Sequence, residues 1–312
     1  MDERPGILQV APLQPALETP LRERYDLHRL GPGGVAALGA AARRIRAVVT
    51  DGHHGIPPDV LAALPRLELV ASYGVGYDAI DIAACRARGV RVTNTPDVLN
   101  DAVAELTIGL MVALVRRIPQ ADAHVRAGRW IDGTFGLTGE LAGAHAGILG
   151  LGRIGKEIAR RLQAMKMRVS YHGRTAQPFE PHAYYAALEA MARDVDWLVV
   201  IAPGTAATRG IVSRRVLEAL GPEGCLVNVA RGSLVDEAAL VALLRDGGLG
   251  GAALDVFADE PRVPEALFGL PNVVLSPHQG SATERTRAAM GALVLANVDA
   301  HFAGRPLPTE VG

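Results

Sequence analysis

Residues 147–162 read GILGLGRIGKEIARRL. An aliphatic run leads into Gly150-Leu151-Gly152-Arg153-Ile154-Gly155, and Ile154, Ile158 and Leu162 then recur at helical spacing with Arg and Lys between them. In a chain with 35 glycines such a triplet is a weak signal by itself. Placed between a strand pattern and a helix pattern, it marks a turn built for a dinucleotide. Gly150 permits the tight turn, Gly152 lets the backbone approach a pyrophosphate, and Gly155 lets the helix pack close to the strand. The helix opened by Arg153 and Ile154 offers unpaired N–H groups to the phosphates.

The following strand pattern, MRVSYH (167–172), runs into SYHGRT (170–175). A site for NAD normally ends this strand in Asp or Glu, which accepts from the ribose hydroxyls and repels a 2′-phosphate. Here the chain has His172, Gly173, Arg174 and Thr175 instead. A guanidinium meets a phosphate with paired donors, and each charge-assisted bond contributes roughly 1.5–3 kcal/mol. The segment therefore predicts NADPH/NADP as the preferred cofactor, with NADH possible.

Working outward, short apolar runs alternate with helical stretches along the whole chain. ILQV (7–10), IRAVVT (45–50), LELVASY (67–73) and VRVTNT (90–95) form a first set. AGILGLG (146–152), MRVSYH, DWLVVIAP (196–203), CLVNVA (225–230), GAALDV (251–256) and NVVLSP (272–277) form a second. Strictly alternating strands and helices imply parallel sheets covered on both faces. The chain has 312 residues, beyond the size at which one core keeps growing, so two domains are expected.

The stretch 100–119, NDAVAELTIGLMVALVRRIP, reads as one long helix capped by Asn100 or Asp101 and closed by Pro119. Ser281-Ala282-Thr283-Glu284 has capping-box spacing and opens a last helix that runs to about Phe302. If that helix returns to the first domain, the division is 1–99 plus 287–312 (substrate-binding) and 100–286 (dinucleotide-binding). The fold class expected is α/β: two Rossmann-like or flavodoxin-like doubly wound parallel-sheet domains with an active-site cleft between them.

Polar residues follow three strands of the second set, where α/β proteins place ligands. NVARG supplies Arg231, LDVFADEP supplies Glu260 and SPHQGSAT supplies His278. Taken singly, each has an ordinary reading as a flanking or loop residue. Together with GLGRIG, YGVGYDAIDI (73–82) and TPDVLNDAVAE (95–105), in this order and spacing, they resemble the D-isomer-specific 2-hydroxyacid dehydrogenase family over nearly the whole chain. Within it, YHGRT and the short C-terminus look most like NADPH-dependent glyoxylate/hydroxypyruvate reductases.

The resemblance implies reduction of a small 2-keto acid by hydride transfer. His278 would be the general acid, Glu260 would orient it, and Arg231 would clamp the substrate carboxylate and polarise the keto oxygen. It also implies a substrate-carboxylate loop at Val75 and Gly76, with Leu99 and Trp130 near the substrate. Trp130 would reach a partner's site or be a buried structural residue. Thr107, Ala230, Asp255 and His278 would lie around the nicotinamide, and Pro203 and Thr208 near the adenosine half. The alternatives are a dehydrogenase of another 2-hydroxy acid, of formate or of phosphite, and a nucleotide-sensing binding protein on the same fold.

A net charge of −1 gives no field for nucleic acid or an acidic membrane surface. The opening MDERPGILQVAPL does not read as a signal peptide, and no run is long enough to span a bilayer. The two cysteines, Cys85 and Cys225, lie far apart, as expected of thiols in a reducing compartment. His53-His54 has no partner at ligand spacing, so no metal is expected. A cytoplasmic homodimer is expected, the dimer following from the family resemblance.

Overall fold

The computed structural model describes residues 4–311. The chain forms two compact units, Met1–Leu99 with Ser281–Gly312, and Asn100–Gly280. The second crossing falls at Gly280–Ser281, six residues before the 287 boundary expected from the sequence.

The first unit holds β1 (Gly6–Gln9), β2 (Asp26–Arg29), β3 (Ile45–Asp51), β4 (Leu69–Tyr73) and β5 (Arg91–Thr93). They form one sheet in the order β2-β1-β3-β4-β5, every pair parallel. This is the flavodoxin-like doubly wound order. Ile7, Leu8, Ala47, Val48, Val70 and Ala71 are fully buried, as strands covered on both faces must be. β2 was not legible as a strand: DLHR is polar and lies half-exposed at the sheet edge.

The terminal helix, Glu284–Phe302, packs on β4 through Met290, Val294 and Val298. Its cap is Thr283, whose side chain accepts from the Thr286 N–H, and not Ser281. Bonds at both ends fasten it: Tyr73 Oη–H donates to the Arg287 carbonyl at 2.8 Å, and His301 Nε2 lies 3.0 Å from Glu68 Oε2.

The second unit holds β6 (His145–Leu149), β7 (Arg168–His172), β8 (Ala183–Tyr184), β9 (Trp197–Val200), β10 (Cys225–Asn228), β11 (Gly251–Leu254) and β12 (Val273–Leu275). The order is β12-β11-β10-β9-β6-β7-β8, again all parallel. Chain direction across the sheet reverses between β6 and β9, the topological switch point at which such sheets bind ligands. Ile148, Leu198, Val199, Val200, Leu226 and Val227 are fully buried along these strands.

The helix Arg153–Ala164 turns Gly155, Ile158, Ala159 and Leu162 inward, one stripe at i, i+3, i+4 and i+7. The expected 100–119 helix is two helices. Asn100–Val115 ends before Arg117, which adopts left-handed φ of 51°, and Ile118–Arg126 begins anew with Pro119 in its first turn. Pro119 starts a helix here because the first turn needs no N–H from it. Asp101 is paired with Arg161 Nη2 at 2.7 Å. Cys85 and Cys225 are both free thiols, and burial pushes the Cys225 thiol up to about 11, with Asp196 adding to the shift. Among the described residues no helix is long and apolar enough to cross a membrane.

Candidate active site

The switch point is occupied by the glycine turn. Gly150 has φ of 101°, and a Cβ there would lie 2.8 Å from the Ala202 backbone. A Cβ on Gly155 would stand 2.3 Å from the Gly150 carbonyl oxygen. Glycine is therefore required at both for the turn to close. Gly152 is exposed, and a Cβ there would meet nothing within 4 Å. The space before it is open, and no side chain caps the helix that begins at Arg153. An open cradle facing an uncapped helix terminus fits a pyrophosphate.

The turn is joined to the end of β7: the Gly150 N–H donates to the His172 carbonyl at 2.9 Å. The His172 ring is engaged in the fold, with Nδ1 2.8 Å from the Tyr185 carbonyl. Gly173 is half-buried, whereas Arg174 and Thr175 are exposed and meet no hydrogen-bond or ion-pair partner among the described residues. No carboxylate stands at this strand end, so the residues present fit a phosphorylated ribose.

Further polar groups emerge side by side from β10, β11 and β12, three neighbouring strands. After β10, buried Asn228 organises the chain: its amide donates to the Arg231 carbonyl at 2.9 Å, and its oxygen accepts from the Ala230 N–H at 3.1 Å. Arg231 is half-buried, and its Nη1 donates to the Ala230 carbonyl at 2.7 Å. Next to it, a Cβ on Gly232 would lie 1.9 Å from the Phe257 carbonyl carbon. That close approach seats the Arg231 loop on the segment leading to Glu260.

Glu260 Oε1 accepts from the Phe257 N–H at 3.0 Å, and Oε2 lies 2.6 Å from His278 Nδ1. With a carboxylate accepting at Nδ1, the ring carries its hydrogen there, and Nε2 faces outward without a partner among the described residues. Glu260 is largely covered, while the His278 side chain is 42% exposed, so the pair has a partly shielded anchor and an accessible tip.

Asp255, at the end of β11, was expected to meet the nicotinamide. Its carboxylate also holds the His278 segment. Oδ1 accepts from Ser276 Oγ–H at 2.6 Å and the Gln279 N–H at 2.8 Å, and Oδ2 accepts from the Gly280 N–H at 2.9 Å. The His278 N–H itself donates to the Asp255 carbonyl at 2.8 Å. Thr107 is fully buried, and its hydroxyl donates to the Val103 carbonyl at 2.8 Å within its own helix. Pro203 is exposed, and Thr208 Oγ1–H donates to its carbonyl at 2.7 Å, closing a local turn. Trp130 sits in a short 3₁₀ turn and is 66% exposed, which removes the buried structural alternative.

In the first unit, Val75 and Gly76 form a half-buried loop after β4, fixed by the Asn94 amide donating to the Val75 carbonyl at 2.9 Å, and Leu99 is buried. Asn228, Ser276 and Gln177 were not singled out from the sequence, because each acts through groups that only the fold brings to it: backbone groups for Asn228 and Gln177, and the Asp255 carboxylate for Ser276. Among the described residues, no cluster of three or more His, Cys, Asp or Glu has metal-ligand geometry.

Comparison with known proteins agrees with this geometry. Residues 108–280 match the family described as "D-isomer specific 2-hydroxyacid dehydrogenase, NAD binding domain". The chain is similar to a glyoxylate/hydroxypyruvate reductase A of Arabidopsis thaliana, 47% identical over 98% of both chains. It is equally similar to a hydroxyphenylpyruvate reductase of Plectranthus scutellarioides, 47% identical over 98% of both. A crystal structure of an NADPH-dependent glyoxylate/hydroxypyruvate reductase from Sinorhizobium meliloti, in complex with NADP and malonate, superposes with a TM-score of 0.95 at 45% identity, covering 99% of this chain and 97% of that one. The chain belongs to the D-isomer-specific 2-hydroxyacid dehydrogenase family.

Proposed function

We propose that the chain reduces small 2-keto acids, glyoxylate and hydroxypyruvate foremost, to 2-hydroxy acids with NADPH. The observation that carries this reading is the 2.6 Å His278–Glu260 pair set next to Arg231 at the ends of three adjacent strands. When bound, the nicotinamide supplies the hydride. Arg231 keeps a permanent charge, and its guanidinium is the group proposed to meet the substrate carboxylate and keto oxygen. His278 gives its Nε2 proton to that oxygen as negative charge gathers there, and solvent restores it. Glu260 holds the ring in one orientation through both states.

Val75, Gly76, Leu99 and Trp130 are proposed for the substrate; Thr107, Ala230, Pro203 and Thr208 are proposed as walls of the cofactor site. Asp255 keeps a supporting role there. Arg174 and Thr175 are proposed to meet the 2′-phosphate, with His172 and Gly173 shaping their backbone. Two free thiols support a reducing, cytoplasmic location, and tagging in cells would test it. Exposed Ile118, Val125, Trp130, Ile131 and Leu137 along 118–137 support a homodimer through this segment. Sedimentation at micromolar concentration should give a dimer, and a monomer would reject it.

Initial rates with glyoxylate and hydroxypyruvate, using NADPH and NADH, test the reading. NADPH should win in kcat/KM, and Arg174→Ala should lose about tenfold or more of that advantage. Equal use of NADH by the wild type would leave Arg174 a solvated charge.

A further inference from the structure

Residues 173–182, GRTAQPFEPH, leave β7 in turns and bends alone, yet they are fastened at several points. The Gln177 backbone N–H donates to the Tyr171 hydroxyl at 2.7 Å. Its side-chain amide donates to the Leu151 carbonyl at 2.6 Å. Tyr184 Oη–H reaches the Gly173 carbonyl at 3.3 Å. Further on, Glu180 lies 3.4 Å from Lys156 Nζ and 3.6 Å from His182 Nε2, with its side chain and that of His182 both buried. Between the end of β7 and Gln177, the side chains left exposed are Arg174, Thr175 and Ala176.

Leu151 is the buried residue between Gly150 and Gly152. The Gln177 amide therefore ties the segment carrying Arg174 to the turn that receives the pyrophosphate. An arginine on an untethered loop gives up conformational entropy whenever it orders around a ligand, and a tether formed beforehand reduces that cost. We propose that Gln177 is a specificity-determining positioning residue: by binding the Leu151 carbonyl it holds Arg174 and Thr175 where a 2′-phosphate is met, and so sets the preference for the phosphorylated dinucleotide. This rests on the reading of Arg174 as a 2′-phosphate ligand.

Calorimetric titration of adenosine 2′,5′-bisphosphate and of 5′-AMP into wild type, Gln177→Ala, Gln177→Met, Arg174→Ala and the Gln177→Ala/Arg174→Ala double variant tests it without turnover. Gln177→Met keeps the side-chain volume and loses only the donor, which guards against a packing defect in the alanine variant. Both single Gln177 variants should weaken the bisphosphate roughly two- to tenfold and leave 5′-AMP within about twofold. In the Arg174→Ala background the Gln177 change should add nothing further. With NADPH, KM should rise and kcat at saturation should hold. Equal weakening of both ligands, an unchanged bisphosphate, or additive losses in the double variant would overturn the proposal while the 2′-phosphate site stands. If Arg174→Ala itself leaves the bisphosphate preference intact, that site reading fails and Gln177 falls with it.

Discussion

Replacing Asp255 by Asn isolates the support beneath His278. The substitution keeps shape and volume, so it opens no cavity. Asp255 is buried and accepts three hydrogen bonds, all from residues 276–280, the segment that carries His278. An asparagine oxygen facing Ser276 and Gln279 keeps two of these as neutral bonds, but its NH2 then faces the Gly280 N–H. The opposite orientation loses two. The better rotamer therefore gives up one charge-assisted bond and weakens two, about 2–4 kcal/mol altogether. Both tryptophans, Trp130 and Trp197, lie in the unit that holds Asp255, so tryptophan fluorescence during urea unfolding reports on that unit. The midpoint should fall by the equivalent of this energy at unchanged slope. Because His278 rides on the loosened segment, kcat/KM should drop on the order of 10²-fold. An unmoved midpoint with wild-type turnover would refute the reasoning, since the carboxylate would then have no part in holding the loop.

Gly155→Ala places a Cβ 2.3 Å from the Gly150 carbonyl oxygen, so the turn must shift. Overpacking of this kind costs about 1–3 kcal/mol, and the cofactor Kd measured by fluorescence titration should rise with the loss of stability. In the first unit, the Arg46 side chain, bonded to both Glu68 oxygens, holds the Glu68 carboxyl below the usual range, and His301 adds to this. A depressed carboxyl contributes stability that is complete above its unfolded pKa and is lost as pH falls through the lower folded one. Thermal denaturation between about pH 6 and pH 3 should therefore show a shallower acid limb in Glu68→Gln than in wild type.

The parts of the fold that the sequence made legible are those whose pattern has one physical cause. Aliphatic runs such as DWLVVIAP became central parallel strands because only such strands are buried on both faces. β2 and β8 were missed for the complementary reason: DLHR is a polar edge strand, and Ala183–Tyr184 is a two-residue one. Pro119 was placed one element out, and the cap of the last helix two residues early, at Ser281 for Thr283. Both are boundary signals, and whether a proline ends or starts a helix, or which of two hydroxyl residues caps one, is settled by backbone dihedrals that the sequence does not print.

In the site, Arg231, Glu260 and His278 were picked out by the motifs that carry them and by their place after three strands, since each taken singly has an ordinary reading. Asp255 was legible as a residue, but its partners were not. It sits 21 residues from Ser276 and 25 from Gly280, and only the β11–β12 register brings them into contact. Gln177 gave no signal, since a glutamine in a polar loop is ordinary until a carbonyl is found opposite its amide.

Turnover of hydroxypyruvate by His278→Ala, with NADPH binding measured on the same sample, tests the central claim most directly. The expected result is a loss of roughly 10²–10⁴-fold in kcat with the NADPH Kd within about twofold of wild type. Turnover that persists at the wild-type rate would show that the proton comes from elsewhere and would contradict the assignment of His278.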